Sequence, residues 1–219
     1  MTVFKAVRSV SLAVGLVAAL AACGSGGGDG KGSAADPGGP REGKLKGPIL
    51  LADDQVRTAL VSKASAPQGW EGSAPRFLDP GDSLRACQAH TETNCGGFVT
   101  LGKSYLSQTE HAPDARAGKV AFSIYSFRSP DDAKVAMKGI SANMRGKAGA
   151  EAKPLEVKAG ADETDAFTGR TTEIFMRLGG ALVRVESEDL REGQPYAEFA
   201  KLQIDRIKKT AEGKNPDSA

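Results

Sequence analysis

Residues 170–188 read RTTEIFMRLGGALVRVESE. Apolar side chains alternate through Ile174, Met176 and Leu178, the pair Gly179-Gly180 interrupts them, and Leu182 with Val183 to Val185 resumes the pattern. Period-two alternation on either side of two glycines is the signature of a β-hairpin with a two-residue turn. A hairpin makes its strands antiparallel. This stretch therefore decides between an antiparallel sheet and a doubly wound parallel one.

The neighbouring segments agree with it. KVAFSIYSF, 119–127, places Val120, Phe122, Ile124 and Ser126 on one side and Ala121, Ser123, Tyr125 and Phe127 on the other, a central or half-buried strand. SPDDAKVAMKGISANM follows at once. Ser129 is placed to cap a helix, Pro130 suits its first position, and Asp131 and Asp132 meet the positive end. Ala133, Ala136, Met137 and Ile140 form its buried stripe. The aspartate pair is thereby explained without a catalytic role. KPLEVK, 153–158, reads as a short strand. QPYAEFAKLQIDRIKK, 194–209, reads as a closing helix with Pro195 at its start, Phe199, Leu202 and Ile207 inward, Ala200 and Ile204 widening that face, and the basic RIKK at its C-terminal end. At the other end, ILLADDQVRTALVSKAS predicts a helix capped by Asp53 or Asp54 with Val56, Leu60 and Val61 on one face. Pro67 and Gly69 end it, and Trp70, the single tryptophan, reads as a core or edge anchor, with ligand stacking as the alternative. Residues 71–118 are rich in turn formers and read as irregular. Helices set apart from hairpin-linked strands predict an α+β fold, a single mostly antiparallel sheet flanked by helices.

The N-terminus carries a different message. MTVFKAVRSVSLAVGLVAALAAC has the bases Lys5 and Arg8, then an apolar run from Val10 to Leu20, then small residues. That run falls short of the roughly 20 residues needed to span a bilayer and fits an export signal. Leu20-Ala21-Ala22-Cys23 resembles the lipobox of bacterial lipoprotein precursors at all four positions. The resemblance implies a diacylglyceryl thioether on Cys23 and cleavage before it; two acyl chains suffice for stable anchoring. Residues 1–22 are then a signal peptide, 23–46 the lipidated cysteine and a flexible Gly-rich tether, 47–212 a globular domain, and 213–219 a disordered tail. The chain holds 29 bases and 27 acids, and losing Lys5 and Arg8 leaves 27 of each. A neutral mature chain argues against nucleic acid as a partner, which demands a basic face.

Two cysteines remain, Cys87 and Cys95. An even pair in an exported domain reads as a disulfide. The alternative is a metal site of Cys87, His90 and Cys95 with a fourth ligand such as His111, although this spacing matches no common zinc module. Otherwise His90 and His111 read as solvated loop histidines. GFVTLGKS, 97–104, fits the phosphate-loop pattern, but a turn-rich cysteine loop precedes it, no clear helix follows, and FVTL is β-branched and bulky. A strand pinned beside Cys87 and Cys95 is the better reading. Asp162, Glu163 and Asp165 in ADETDAF are candidate acids for an envelope hydrolase, or simply a solvated acidic turn. No other catalytic residue set, metal or cofactor is indicated.

The segments LLADDQVRTAL…PQGW, the cysteine pair, VAFSIYSFRSPDDAKVAM and IFMRLGGALVRVES with the closing helix together resemble actinobacterial surface lipoproteins and the PknH-like extracellular sensor domains, over most of 50–209. The resemblance implies an antiparallel sheet flanked by helices and a cleft for a small molecule. This chain departs from that group in offering cysteines for one disulfide rather than two, and no ligand residue transfers. The expectation is a monomeric, lipid-anchored domain on the outer face of the cytoplasmic membrane that binds a small molecule, glycan or surface protein.

Overall fold

In a computed structural model, which describes residues 47–109, 117–188 and 195–218, the Gly179-Gly180 turn joins β7 (Thr172–Leu178) to β8 (Ala181–Glu188) in register, with Leu178 opposite Ala181 and Glu173 opposite Glu186. Gly179 takes a φ of 59°, and the backbone of Ile49 lies where its Cβ would stand. Only glycine fits there without strain. The Gly180 N–H donates to the Ile49 carbonyl at 2.7 Å.

Six further strands extend this hairpin: β1 (Trp70–Gly72), β2 (Arg76–Phe77), β3 (Phe98–Gln108), β4 (Lys119–Phe127), β5 (Lys153–Pro154) and β6 (Glu163–Thr168). The order is β1-β3-β4-β8-β7-β6-β5, with β2 also paired to β3, and every pairing is antiparallel. Among the described residues four α-helices cover the sheet: α1 (Asp53–Ala59), α2 (Pro80–Thr91), α3 (Pro130–Ala148) and α4 (Tyr196–Ala211). The fold is α+β. Val120, Phe122 and Ile124 of β4 pack with Ile174, Met176, Val183 and Val185 beneath α1 and α4. Tyr125 and Phe127 point the other way, toward Ala133, Met137 and Ile140 of α3 and Cys87 of α2. Ser129 caps α3 by accepting from the Asp132 N–H at 3.1 Å, with Pro130 at the helix start. Trp70 is half-buried and meets the Phe199 ring edge-on, 4.9 Å between centroids. Among the described residues no helix is long and apolar enough to cross a membrane.

Several expectations need correction. Residues 71–109 are not irregular, since they hold α2 and the eleven-residue β3, the strand expected at GFVTLGKS. The buried face of α2 is Ser83, Cys87 and Thr91, spaced as a helix requires but without an apolar period to reveal it. ADETDAF is mostly strand β6 rather than a turn. KPLEVK is strand only at Lys153–Pro154. The cap of α1 is Ala52, whose N–H donates to the Gln55 side chain at 2.9 Å, not Asp53 or Asp54.

The basic end of α4 also differs. Arg206 is 3% exposed and turns to a different helix. It donates to the carbonyls of Thr58, Ala59 and Leu60 at 3.0–3.1 Å. Gln203 adds a bond of 2.8 Å to the Ala59 carbonyl. A cation and an amide thus satisfy the orphan carbonyls at the end of α1. The expectation of a disordered tail over 213–219 does not hold for 213–218, where Pro216 is buried and Asp217 accepts from both Arg206 and Ser62. The Arg206 hydrogen bond holds the Asp217 carboxyl below its ordinary range.

The chain divides into two units, Met1–Arg41 and Glu42–Ala219, and every described residue lies in the second. The signal peptide reading, Cys23 and the whole tether over 23–46 fall outside the described residues.

Replacing Arg206 by Ala strands the Thr58 and Leu60 carbonyls, while Gln203 keeps that of Ala59. We expect a loss of about 3 kcal/mol, read from urea midpoints, with Arg206→Lys recovering less than half because one ammonium cannot span all three acceptors.

Candidate functional site

On the face beneath α2 and α3 the sheet changes from apolar to polar. Tyr125 and Leu182 lie in the apolar half. One step further along, register sets Lys103 of β3 opposite Ser123 of β4, and Ser123 opposite Arg184 of β8. Arg184 is 9% exposed and Glu173 4%. The two form a bidentate pair, Nε to Oε2 at 2.8 Å and Nη2 to Oε1 at 2.6 Å, and Nη2 also lies 3.1 Å from Glu186. Glu173 and Glu186 are cross-strand partners. Like charges there repel, and the Arg184 guanidinium offsets that repulsion.

Burial pushes the Glu173 carboxyl up, against the pull of the Arg184 hydrogen bond. Burial works most strongly against the Arg184 charge, but the Glu173 hydrogen bond and the charges of Glu173 and Glu186 together more than offset it, and the guanidinium stays protonated. Lys103 is half-buried, and desolvation followed by the field of Arg184 lowers its pKa.

His90, near the end of α2, is not a solvated loop residue. Its Nδ1 stands 2.7 Å from the Tyr125 hydroxyl, and the two rings meet edge to face. Burial, then the charges of Lys103, Arg184 and Lys147, lower its pKa from 6.5 to about 4, so the imidazole is neutral at pH 7. The Tyr125 phenol is fully buried and its pKa is raised, chiefly by desolvation. Asn143 of α3 donates to the His90 carbonyl at 2.8 Å, which fixes the end of α2. His111 lies outside the described residues.

Beside Arg184 opens a cleft of about 500 Å³. Met144, Ala148 and Phe167 give it apolar surface, and Lys147, Glu151, Arg170, Glu173, Arg184 and Glu186 make the rest of its lining highly charged. Among the described residues no hydrogen bond engages Arg184 Nη1, so its two N–H groups are unused. The volume suits a small ligand, and the charged lining suits a polar one. No nucleophile stands beside an oriented base here. The His90–Tyr125 pair joins a neutral ring to a phenol that resists ionisation, which suits positioning rather than proton transfer at neutral pH.

The candidate acids are already engaged. Asp162 accepts from Arg177 at 3.1 Å and from the Gly179 N–H at 2.8 Å, and Glu163 accepts from Arg177 at 3.3 Å. Asp165 is bound by Arg145 and by the Ser141 hydroxyl. They brace the hairpin turn and α3. Cys87 and Cys95 are joined in a disulfide, so the alternative metal reading loses its sulfur ligands. Among the described residues no cluster of three His, Cys, Asp or Glu could hold a metal. GFVTLGKS runs into strand β3, so Lys103 and Ser104 point to opposite faces and no phosphate loop forms. Cys23 lies outside the described residues. Reasoning from sequence missed Glu173, Arg184 and Lys103. Counting back from Gly179-Gly180 sets two glutamates opposite each other with an arginine two positions along, and that was a usable signal.

No protein-family model matches the chain, and no curated protein does. Among solved structures, the extracellular domain of PknH from Mycobacterium tuberculosis is similar with a TM-score of 0.48 and 14% identity, over 76% of this chain and all of that one. A likeness of this degree carries nothing about the site.

Two outcomes follow for stability. Glu173→Gln leaves the buried Arg184 charge half-compensated and costs about 3 kcal/mol, whereas Glu173→Leu combined with Arg184→Met stays within about 1 kcal/mol of the parent in urea titrations. His90 has a lower pKa folded than unfolded. The unfolded chain therefore binds a proton first as pH falls from 6.5 toward 4, and stability drops across that window. Between pH 7 and pH 5 the parent should lose about 1 kcal/mol more than His90→Gln, a figure reduced for solvent screening of a half-exposed ring.

Proposed function

We propose that this chain is an extracytoplasmic lipoprotein, anchored in the bilayer through acylated Cys23, whose folded domain binds a ligand and is not an enzyme. The observation that carries the binding half is the cleft beside Arg184, in which a buried guanidinium keeps two unused N–H groups. Solvent reaches Nη1, so a ligand acceptor there takes the place of water. The engagement of Asp162, Glu163 and Asp165 by arginines supports a non-catalytic domain over an envelope hydrolase.

The export half rests on the lipobox resemblance and gains support from the Cys87–Cys95 bond, since disulfides persist in oxidising compartments and are rare in the cytosol. A neutral mature chain fits a tethered domain that does not need to cling to anionic lipid. The ligand classes that suit the envelope are a small molecule, a glycan or a surface protein.

Two measurements test the halves separately. Expressed in a bacterium fed labelled palmitate, the chain should take up label and partition with membranes, and Cys23→Ser should do neither. Label on the Cys23→Ser chain, or none on the parent, removes the anchor. Thermal scanning of the full chain against envelope fractions should find a ligand that, at 100 times its Kd, adds about 2.7 kcal/mol and shifts Tm by about 5–10 °C. A Tm that no fraction moves removes the binding reading.

A further inference from the structure

The lining of the cleft beside Arg184 carries both signs of charge. Lys147, Arg170 and Arg184 stand against Glu151, Glu173 and Glu186. An ion of one sign that enters meets as many like charges as unlike, so a simple anion or a simple cation gains little there. A ligand that carries both signs can answer both.

Two of these groups are neighbours with opposite needs. Arg184 and Glu186 stand two positions apart on β8, so they project from the same face of the strand. Arg184 Nη2 lies 3.1 Å from Glu186 Oε2, while Nε and Nη2 are hydrogen-bonded to Glu173. Among the described residues no hydrogen bond engages Arg184 Nη1 or the Glu186 carboxylate. A lone carboxylate on Nη1 sits beside Glu186, and a lone ammonium on Glu186 sits beside the guanidinium. Each pays a repulsion for its attraction. A carboxylate and an ammonium carried on the same carbon match the pair together, anion to guanidinium and cation to carboxylate.

The rim points the same way. Lys147, Glu151 and Arg170 differ in sign and line one cleft, yet among the described residues no ion pair or hydrogen bond engages their side chains. Their charges are spaced apart and face solvent. They can receive a polar side chain of either sign, while Met144 and Ala148 meet its carbon stem.

We propose that the cleft binds a polar α-amino acid, with its carboxylate on Arg184 Nη1, its ammonium on Glu186, and its side chain toward Lys147, Glu151 and Arg170. This rests on the ligand-binding reading above and names its ligand class.

Isothermal titration of the full chain with glutamate, lysine and glutamine sets side chains of both signs and a neutral one against the rim. Each is compared with its Nα-acetyl form, which lacks the ammonium, and with its α-carboxamide, which lacks the carboxylate. We expect at least one of the three to bind, and each of its blocked forms to bind about tenfold more weakly or worse, since a charge-assisted hydrogen bond is lost in both. Glu186→Ala gives a readout that a merely structural role does not move. The variant relieves the cross-strand repulsion from Glu173 and leaves Arg184 its bidentate partner, so the fold holds. In it the free and Nα-acetyl forms should bind about equally, while the α-carboxamide remains weaker. The inference is overturned if no free amino acid binds more tightly than its two blocked forms, or if the penalty for the acetyl group is undiminished in Glu186→Ala. A thermal-scan ligand without an α-amino acid head keeps the binding domain and removes this inference. If neither the envelope fractions nor the amino acids bind, both readings fall.

Discussion

Strand β4 has no free side, and the rest of the domain follows from that. Its edges pair with β3 and β8. Its faces carry Val120, Phe122 and Ile124 one way and Tyr125 and Phe127 the other, all buried. A strand apolar on both faces cannot sit in a sheet with one face in water. The chain therefore supplies cover twice, with α1 and α4 on one face and α2 and α3 on the other. Close cover needs close approach. Gly139 of α3 allows it, because the Thr91 carbonyl at the end of α2 lies where a Cβ would stand.

The candidate site exists because the cover is incomplete. The apolar cluster under α2 and α3 stops at Tyr125, Leu182 and Phe175, and beyond it the same strands carry Lys103, Ser123, Arg184 and Glu173. The buried ion pair is poor evidence for stability in itself, since desolvation costs about as much as pairing returns. It is better understood as a register lock. A slip of one residue in β8 would carry Arg184 to the face of Val183 and Val185, into the core under α1 and α4 with no carboxylate to meet it.

How far the sequence was legible depended on how local the signal was. The hairpin, β4 and α3 announce themselves through alternation, a glycine pair and a Ser-Pro-Asp-Asp start, and each forms where it was read. Strand β3 was half hidden, because Gly102, Lys103 and Ser104 break its alternation. Gly102 is small for a tertiary reason: Phe77 and Leu60 close over it. Strand β6 was hidden by its acids, whose partners Arg145 and Arg177 come from α3 and β7. Helix α2 covers the sheet with serine, cysteine and threonine rather than leucine, so it shows no apolar stripe. His90 was misread with it, because its burial depends on a tyrosine 35 positions away. In each case the missing information was the identity of a distant neighbour, which no window along the chain contains.

The arginine that caps α1 belongs to α4, 147 positions later in the chain. α1 is seven residues long, too short to hold itself as a helix in water, and its last carbonyls find donors only when Gln203 and Arg206 arrive. The first described helix thus depends for its completion on the last. A nascent or translocating chain must carry this end unfinished until almost the whole domain has emerged. A product truncated before Arg206 lacks both the closing helix and the means to terminate the opening one. The two ends of the described domain thus stand or fall together.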